Sequence, residues 1–348
     1  MGRRAIVCGT GFGLRVHVPA LRAAGFEVAA LVGRDADRTA RRAARLGIPA
    51  GFDSLVAALN ATAADVVTIA TPPDTHAELA ALAIAAGRHV ICEKPLALTV
   101  AQAEALTEAA AAAGLVALVG TEFRWDPAVE AVRAAIATGL IGRPHTATVL
   151  RSYPILAAAD APTPAWWFDR SRGGGWLRAN GTHLIDQLQL WLGPIVDVAA
   201  VLGQSVPRPA GDADDGYAVL LRTAGGAIAV LQESAATWGE PAEVTRIAGT
   251  DGTVSIVDGH AFLATAGGTR RLTPEPSPPP PTDAADARPW TAAEIAAYTG
   301  LAQWLYRRLD DPHLTEVPAP ATFADGLSVL RVVEAIEAAA VAFPGGAR

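Results

Sequence analysis

Ala5-Ile6-Val7-Cys8-Gly9-Thr10-Gly11-Phe12-Gly13 reads as a buried β-strand running into a glycine turn. Consecutive apolar residues without polar alternation suit a strand covered on both faces, as in a parallel sheet. The glycines permit a tight turn and the close approach of a pyrophosphate, which then sits on the N-terminus of the following helix, read over 16–24. Gly9, Thr10, Gly11, Phe12 and Gly13 are therefore the candidate cradle of a dinucleotide. The spacing is G-x-G-x-G, and Leu14 stands where the usual G-x-G-x-x-G has its third glycine. An ordinary glycine turn is the competing reading, and the rest of the chain weighs against it.

From this turn to residue 121, strand and helix signals alternate. Strands read at 28–32, 65–70, 89–92 and 115–119, and helices at 35–46, 75–86 and 100–113. Buried strands separated by helices give βαβ units and a parallel sheet. After Thr121 the rhythm changes. A helix reads at 127–138, and the cluster Gly173-Gly174-Gly175 precedes another running towards Trp191. From 196 to 272 strands alternate with the turn signals Gly225-Gly226, Asp251-Gly252 and Asp258-Gly259. That pattern predicts an antiparallel sheet and an α+β second domain. Tyr217-Ala218-Val219-Leu220-Leu221 is apolar on both sides, which suits a sheet face covered by a partner subunit. Pro278-Pro279-Pro280-Pro281 marks an extended loop, and helices close the chain near 291–309 and 322–343.

The expected architecture is α/β: a Rossmann dinucleotide-binding domain over 1–121, then an α+β domain over 122–348. The last helix is a candidate to pack back on the first domain. A length of 348 residues agrees with this, at roughly 150 residues per domain. A chain 51% hydrophobic and 18% charged is not a disordered one. No apolar run reaches the roughly 18 residues of a membrane span, and no signal-length segment follows Arg3-Arg4. The expected compartment is the cytoplasm. Net charge −7 argues against a nucleic-acid partner. Cys8 and Cys92 are too few for a disulfide framework, and no His/Cys set has zinc spacing, so no metal is expected.

Of 28 basic residues only Lys94 is a lysine. Arginine is effectively always protonated, whereas lysine exchanges a proton once its pKa is lowered. Lys94 is therefore a candidate acid–base group, with chance survival as the plain alternative. At the end of the second strand, Gly33 occupies the slot where NAD-binding proteins carry an acid for the ribose 2′-hydroxyl. No carboxylate there would repel a 2′-phosphate, and Arg34 and Arg38 stand ready to pair with one. This favours NADP, while Asp35, one residue further on, keeps NAD as the alternative. Arg41, Arg42 and Arg45 are expected on a solvated helix face.

Taken together, Gly9–Gly13 with His17 and Pro19, Thr71-Pro72-Pro73 with His76, Glu93-Lys94-Pro95, and Gly181-Thr182-His183-Leu184-Ile185-Asp186 form a pattern. It resembles the glucose–fructose oxidoreductase/inositol dehydrogenase/MocA family over nearly the whole chain. The resemblance implies an NAD(P)-dependent oxidoreductase that moves a hydride between nicotinamide and a hydroxyl or carbonyl carbon. Its substrate would be a small molecule: a sugar, a cyclitol or a specialised metabolite. It places Thr71, Pro72, Glu93 and Lys94 with the glycine loop around the cofactor. His76 and Arg124 are further candidates there, a structural role being the alternative for His76 and a domain hinge or substrate contact for Arg124. It places Lys94 by the nicotinamide and the substrate oxygen, with Lys94 and His183 as the acid–base groups, a core histidine being the alternative for His183. Trp167 reads as a substrate-pocket wall or as core. Asn180, beside the family's Asp position, is a candidate substrate contact that a helical segment would point elsewhere. It also implies a homodimer or homotetramer formed through the open sheet of the second domain. One departure stands out. The family commonly reads Asp-x-Gly-x-His, and here Ala179 fills the Asp position. The family's offshoots keep open a net non-redox reaction with tightly held cofactor, and this departure keeps open a nucleotide-binding regulator with a degenerate site.

Overall fold

The apolar runs of the first 120 residues form parallel strands. The computed structural model describes residues 2–208, 211–273 and 291–341. The proline run at 278–281 and the end of the last helix reading, 342–343, lie outside them. Among the described residues the first sheet has six strands: β1 (Arg4–Cys8), β2 (Glu27–Val32), β3 (Ala50–Phe52), β4 (Val66–Ile69), β5 (His89–Cys92) and β6 (Ala117–Val119). Their order is 3-2-1-4-5-6 and every pair is parallel, the doubly wound order of dinucleotide-binding folds. The crossovers carry α1 (Val18–Ala23), α2 (Ala36–Arg45), α3 (Leu55–Ala61), α4 (His76–Ala85) and α5 (Val100–Ala112). Polar residues fix where several of these start. Asp35 caps α2 and Ser54 caps α3, while Thr99 and Gln102 form a reciprocal capping box on α5. The sequence reading passed over β3 and α3. The strand is only three residues long with Gly51 at its centre, which leaves no side-chain periodicity to read.

The second sheet is built from β7 (Pro144–Ser152), β8 (Ile195–Gly203), β9 (Gly216–Thr223), β10 (Ile228–Ser234), β11 (Ala242–Gly249), β12 (Gly252–Val257), β13 (His260–Thr265) and β14 (Gly268–Arg271). Its order is 14-13-12-11-7-10-9-8. All neighbours are antiparallel except β7 and β10, so the sheet is open and mainly antiparallel. The sequence reading began this sheet at residue 196 and missed β7, its central strand. Polar residues dominate β7, and only Ala147 and Val149 are buried along it. Two helices, α6 (Pro127–Ala137) and α7 (Thr182–Leu192), belong to the same unit, and α6 lies against α7, β12 and β13. Along β9 burial alternates strictly. Tyr217, Val219 and Leu221 point inward, and Leu220 is 55% exposed. Within this chain one face of 217–221 is buried and the other is open, the face that the sequence reading assigned to a partner subunit.

The described residues divide into two compact units, one of 2–125 with 291–327 and the other of 126–273 with 328–341. The chain thus returns to the first unit after building the second sheet. Helix α8 (Thr291–Asp310) brings Tyr298, Leu301, Ala302, Trp304 and Leu305 into one core with Val16, Leu21, Phe26 and Val28. Helix α9 (Phe323–Ala339) follows, and its residues are shared between the units, with the division after Leu327.

Candidate active site

In the first unit the candidate residues gather at the carboxyl ends of the parallel strands. Parallel backbone hydrogen bonds continue past the strand ends, from Gly9 N to Val32 O (2.9 Å), Ala70 N to Cys8 O (2.7 Å) and Glu93 N to Ile69 O (2.9 Å). The loops therefore leave the sheet from fixed points. Gly9 turns at φ +117°, and a Cβ there would stand 2.3 Å from Ala70 O. At Gly13 a Cβ would come to 3.1 Å from Val7 Cγ1, so this glycine lets the helix settle on the sheet. Gly11 differs: nothing lies within 4 Å of a Cβ built there. Its backbone is open to a ligand, with the start of the helix behind it. A pyrophosphate suits this loop, and the turn, approach and packing roles fall on Gly9, Gly11 and Gly13 despite the shortened spacing.

The side of the loop beyond β2 is cationic. Gly33 has no room for any side chain, because a Cβ would meet Thr10 Cγ2 and Thr39 Oγ1, each at 2.6 Å. Asp35 caps its own helix, its Oδ1 accepting from Arg38 N at 2.8 Å. Arg34 and Arg38 are exposed beside it. Arg42 corrects the expectation of a solvated face. It is half-buried, and its guanidinium donates to Thr10 O at 2.9 Å, bracing the glycine loop.

Beyond β5, Glu93 is buried and Lys94 is half-exposed. Glu93 Oε1 meets His17 Nε2 at 3.1 Å, and Tyr298 Oη lies 3.2 Å from His17 Nδ1. The His17 ring stacks on Tyr298 with centroids 4.1 Å apart. Gly120 makes room for this carboxylate, since a Cβ there would come within 2.4 Å of Glu93 Oε1. Glu122 lies in the same buried neighbourhood. Burial, then the charge on Glu93, pushes its pKa well above the carboxylate range. The nearly inaccessible His76 ties two loops together through Pro95 O (2.8 Å) and Thr71 O (2.9 Å). Burial lowers its pKa despite both carbonyls, so the neutral ring donates to one of them at a time. Both nitrogens of His76 thus face the backbone, and it sets the geometry of Thr71-Pro72 and of the Lys94-Pro95 loop. Arg124, after β6, is buried against Asp325 (3.5 Å) and Ala319 O (3.4 Å).

The other candidates, Trp167, Asn180 and His183, belong to the second unit. Trp167 is half-exposed between Trp166 (ring centroids 5.9 Å apart) and Trp176 (6.1 Å), and Tyr153 lies beyond Trp176 at 5.8 Å. A π-helical turn, Leu177–Gly181, opens α7. Such turns recur at functional sites. Asp214 Oδ2 holds its start by accepting from Leu177 N at 2.9 Å. His183 and Asp186 are both buried on α7. The Asn180 amide reaches the sheet, with Nδ2 donating to Glu233 Oε1 at 2.6 Å, and Tyr217 Oη donates to Glu233 Oε2. Gly181 leaves the space for that hydroxyl, since a Cβ would stand 2.6 Å from it.

Glu233 belongs to a polar row that crosses the sheet. Tyr217 on β9, Glu233 on β10, Arg151 on β7 and Glu243 on β11 are direct cross-strand partners. Arg151 donates to Glu243 Oε2 at 2.8 Å, and Tyr153 donates to Glu243 Oε1 at 2.5 Å. Glu233 is 1% exposed, and burial pushes its pKa up to about 7 against the pull of Tyr217, Arg151 and Asn180. Sequence reading did not name Glu233, and it took Tyr217 only as part of an apolar strand. The signal was present: Ala229, Leu231 and Glu233 share one face of β10, so a carboxylate continues an apolar row.

Two sequence profiles of one family match this chain. "Oxidoreductase family, NAD-binding Rossmann fold" covers residues 3–121, and "GFO/IDH/MocA C-terminal domain" covers 129–255. The chain belongs to the Gfo/Idh/MocA oxidoreductase family. It is 30% identical over 317 residues to the D-apiose dehydrogenase of Paraburkholderia graminis, a match spanning 87% of this chain and 79% of that protein. A levoglucosan dehydrogenase solved in complex with NADH superposes with a TM-score of 0.84 at 25% identity, covering 97% of this chain and 96% of that one. An oxidoreductase domain protein from Kribbella flavida superposes at 0.85 and 29% identity, covering 97% of each chain. Like other family members, the chain pairs a Rossmann sheet with a second, mostly antiparallel sheet. Among the described residues no cluster of three or more His, Cys, Asp or Glu side chains has the arrangement of a metal site. No described helix is long and apolar enough to cross a membrane.

Proposed function

We propose that this chain is an NADP-preferring dehydrogenase of the cytoplasm that oxidises a hydroxyl carbon of a sugar or cyclitol. The observation that carries the reading is one sheet edge on which an open glycine cradle, an arginine cluster and the chain's single lysine follow the ends of β1, β2 and β5. Gly9–Gly13 would hold the pyrophosphate, and Arg34 and Arg38 the 2′-phosphate. The nicotinamide supplies the hydride acceptor when bound. Lys94 holds the substrate oxygen through Nζ and takes its proton, and His183 is the second acid–base group. Glu93 and His76 keep the Lys94 loop in place. The related apiose and levoglucosan dehydrogenases support a polyhydroxylated substrate.

The test is absorbance at 340 nm with levoglucosan, myo-inositol and D-apiose, each with NAD+ and NADP+, for wild type and Arg34→Ala. A charged contact to the 2′-phosphate is worth about 1.5–3 kcal/mol, or about tenfold or more in affinity. Wild type should show a KM for NADP+ at least tenfold below that for NAD+, and Arg34→Ala should close the gap. Equal or reversed preference in wild type refutes the NADP assignment. No oxidation with either cofactor refutes the dehydrogenase reading. Ala179 favours one second reading, a nucleotide-binding regulator with a degenerate site, which is recognised by NADPH binding without turnover of any substrate in the panel.

A further inference from the structure

We infer that Glu233 is a positioning residue that aims Asn180 at the substrate, so that the Asn180 carbonyl takes the place left by the carboxylate missing at position 179. The inference rests on the dehydrogenase reading for its substrate, a polyol that donates a hydroxyl proton. The geometry is local to the second unit. Asn180 stands next to Ala179 in the π-helical turn, and both are half-exposed. The Asn180 side chain, not that of Ala179, reaches the sheet. Its amide donates through Nδ2 to Glu233 Oε1 at 2.6 Å, a charge-assisted bond when the acid is ionised. The other oxygen of Glu233 is clamped by Tyr217 Oη. Glu233 itself is almost wholly buried and does not reach a ligand. Its position is fixed further by the cross-strand neighbour Arg151 and by the closeness of Gly181 to Tyr217.

An amide has one donor end and one acceptor end. With Nδ2 fixed to Glu233, the direction of Oδ1 is set as well. Among the described residues no protein donor takes Oδ1. What Asn180 presents is therefore a single, oriented and neutral acceptor. That is half of what a carboxylate would offer: it accepts from a substrate hydroxyl, and it adds no charge beside the reacting carbon.

The experiment is a charge swap across the 2.6 Å contact. Asn180→Asp alone sets a carboxylate against Glu233, and kcat/KM for the panel sugar oxidised fastest should fall at least tenfold. Adding Glu233→Gln restores a donor–acceptor pair of reversed polarity and leaves a carboxylate oxygen facing the substrate. The double variant should recover to within about threefold of wild type. A merely structural Glu233 would give no rescue, and additive losses overturn the inference. Asn180→Ala should raise KM more than it lowers kcat, and an unchanged KM also overturns it. A second readout needs no substrate. The Asn180 side-chain amide, assigned by its loss in Asn180→Ala, should show one downfield, slowly exchanging proton in NMR spectra of the whole chain. That signature should vanish in Glu233→Ala. If wild type oxidises none of the panel, the dehydrogenase reading fails, and the amide signature alone decides the clamp: a freely exchanging Asn180 amide overturns it.

Discussion

Lys94 is the only lysine among 28 basic residues, and it follows a buried glutamate whose carboxylate is held by His17. Arginine at this position keeps the positive charge but does not exchange a proton near neutral pH. Lys94→Arg should therefore lower kcat by about 10²–10⁴-fold, the usual effect of losing a general acid or base. NADPH affinity, measured by fluorescence titration, should change little. Near-wild-type turnover would make Lys94 a positioning charge only. Glu233 and Asp214 carry a different consequence. Burial raises both, to about 7 and about 6, above their ordinary values of 4.5 and 3.8. A raised folded-state pKa means the folded protein binds the proton more tightly than the unfolded chain. Their contribution to stability is complete below the ordinary values and is lost as pH rises through 6 and 7. His76 and His89, with lowered values, act in the opposite sense at the acid end. A difference measurement isolates Glu233: the Tm of Glu233→Gln relative to wild type should climb between pH 4.5 and 7 and then level off. A pH-independent difference would refute it. Lys94, Gly11 and Arg34 stand out in the sequence because motif and composition mark them, and each follows a strand of the first sheet. Glu233 and Arg42 were not singled out, because their importance lies in partners that are distant in the chain, Asn180 and Thr10.

At the scale of elements, the second sheet buries one face and shows the other. On the open face Leu150, Val244 and Val257 are cross-strand partners, and each is more than one-third exposed. Leu220 and Ile228 add to the same apolar surface. Monomeric soluble proteins rarely leave such a surface bare, and a second copy of the chain is the proposed cover. Light scattering at micromolar concentration should give a dimer or tetramer, and Leu150→Lys with Leu220→Lys should give a folded monomer. A monomeric wild type would refute this. The strands of the first sheet were readable because buried parallel strands are continuous apolar runs. β3 and β7 were not. Gly51 interrupts the first, and the second presents His145, Thr146, Thr148 and Arg151 around two buried side chains. The mixed character of the second sheet follows from β7, so it too was out of reach of local pattern.

At the scale of the whole molecule, the dinucleotide-binding unit is not contiguous in the chain. Tyr298, Leu301 and Leu305 are fully buried against residues near the N-terminus, and Tyr298 also backs His17. A fragment of residues 1–125 would bare that apolar surface, at roughly 25 cal/mol per Å². It should behave as a loosely packed species, with weak near-ultraviolet dichroism and bound hydrophobic dye. Fusing residues 291–327 to it through a flexible linker should restore sharp NMR dispersion. A well-ordered 1–125 fragment would show that α8 is dispensable.

The central strand β7 has β10 and β11 on its two sides, and both follow it late in the chain. During synthesis, about 75 residues must be added after Ser152 before the first of these partners begins to emerge, which takes about 4–15 s at ordinary elongation rates. For that interval β7 leaves the ribosome with both of its hydrogen-bonding edges bare. Its polar composition, which hid it from the sequence reading, is what lets a nascent strand wait in water without pairing with another chain. Apolar replacements at Thr146 or Thr148 would therefore be felt first as lost soluble yield during expression, before any change in the finished fold.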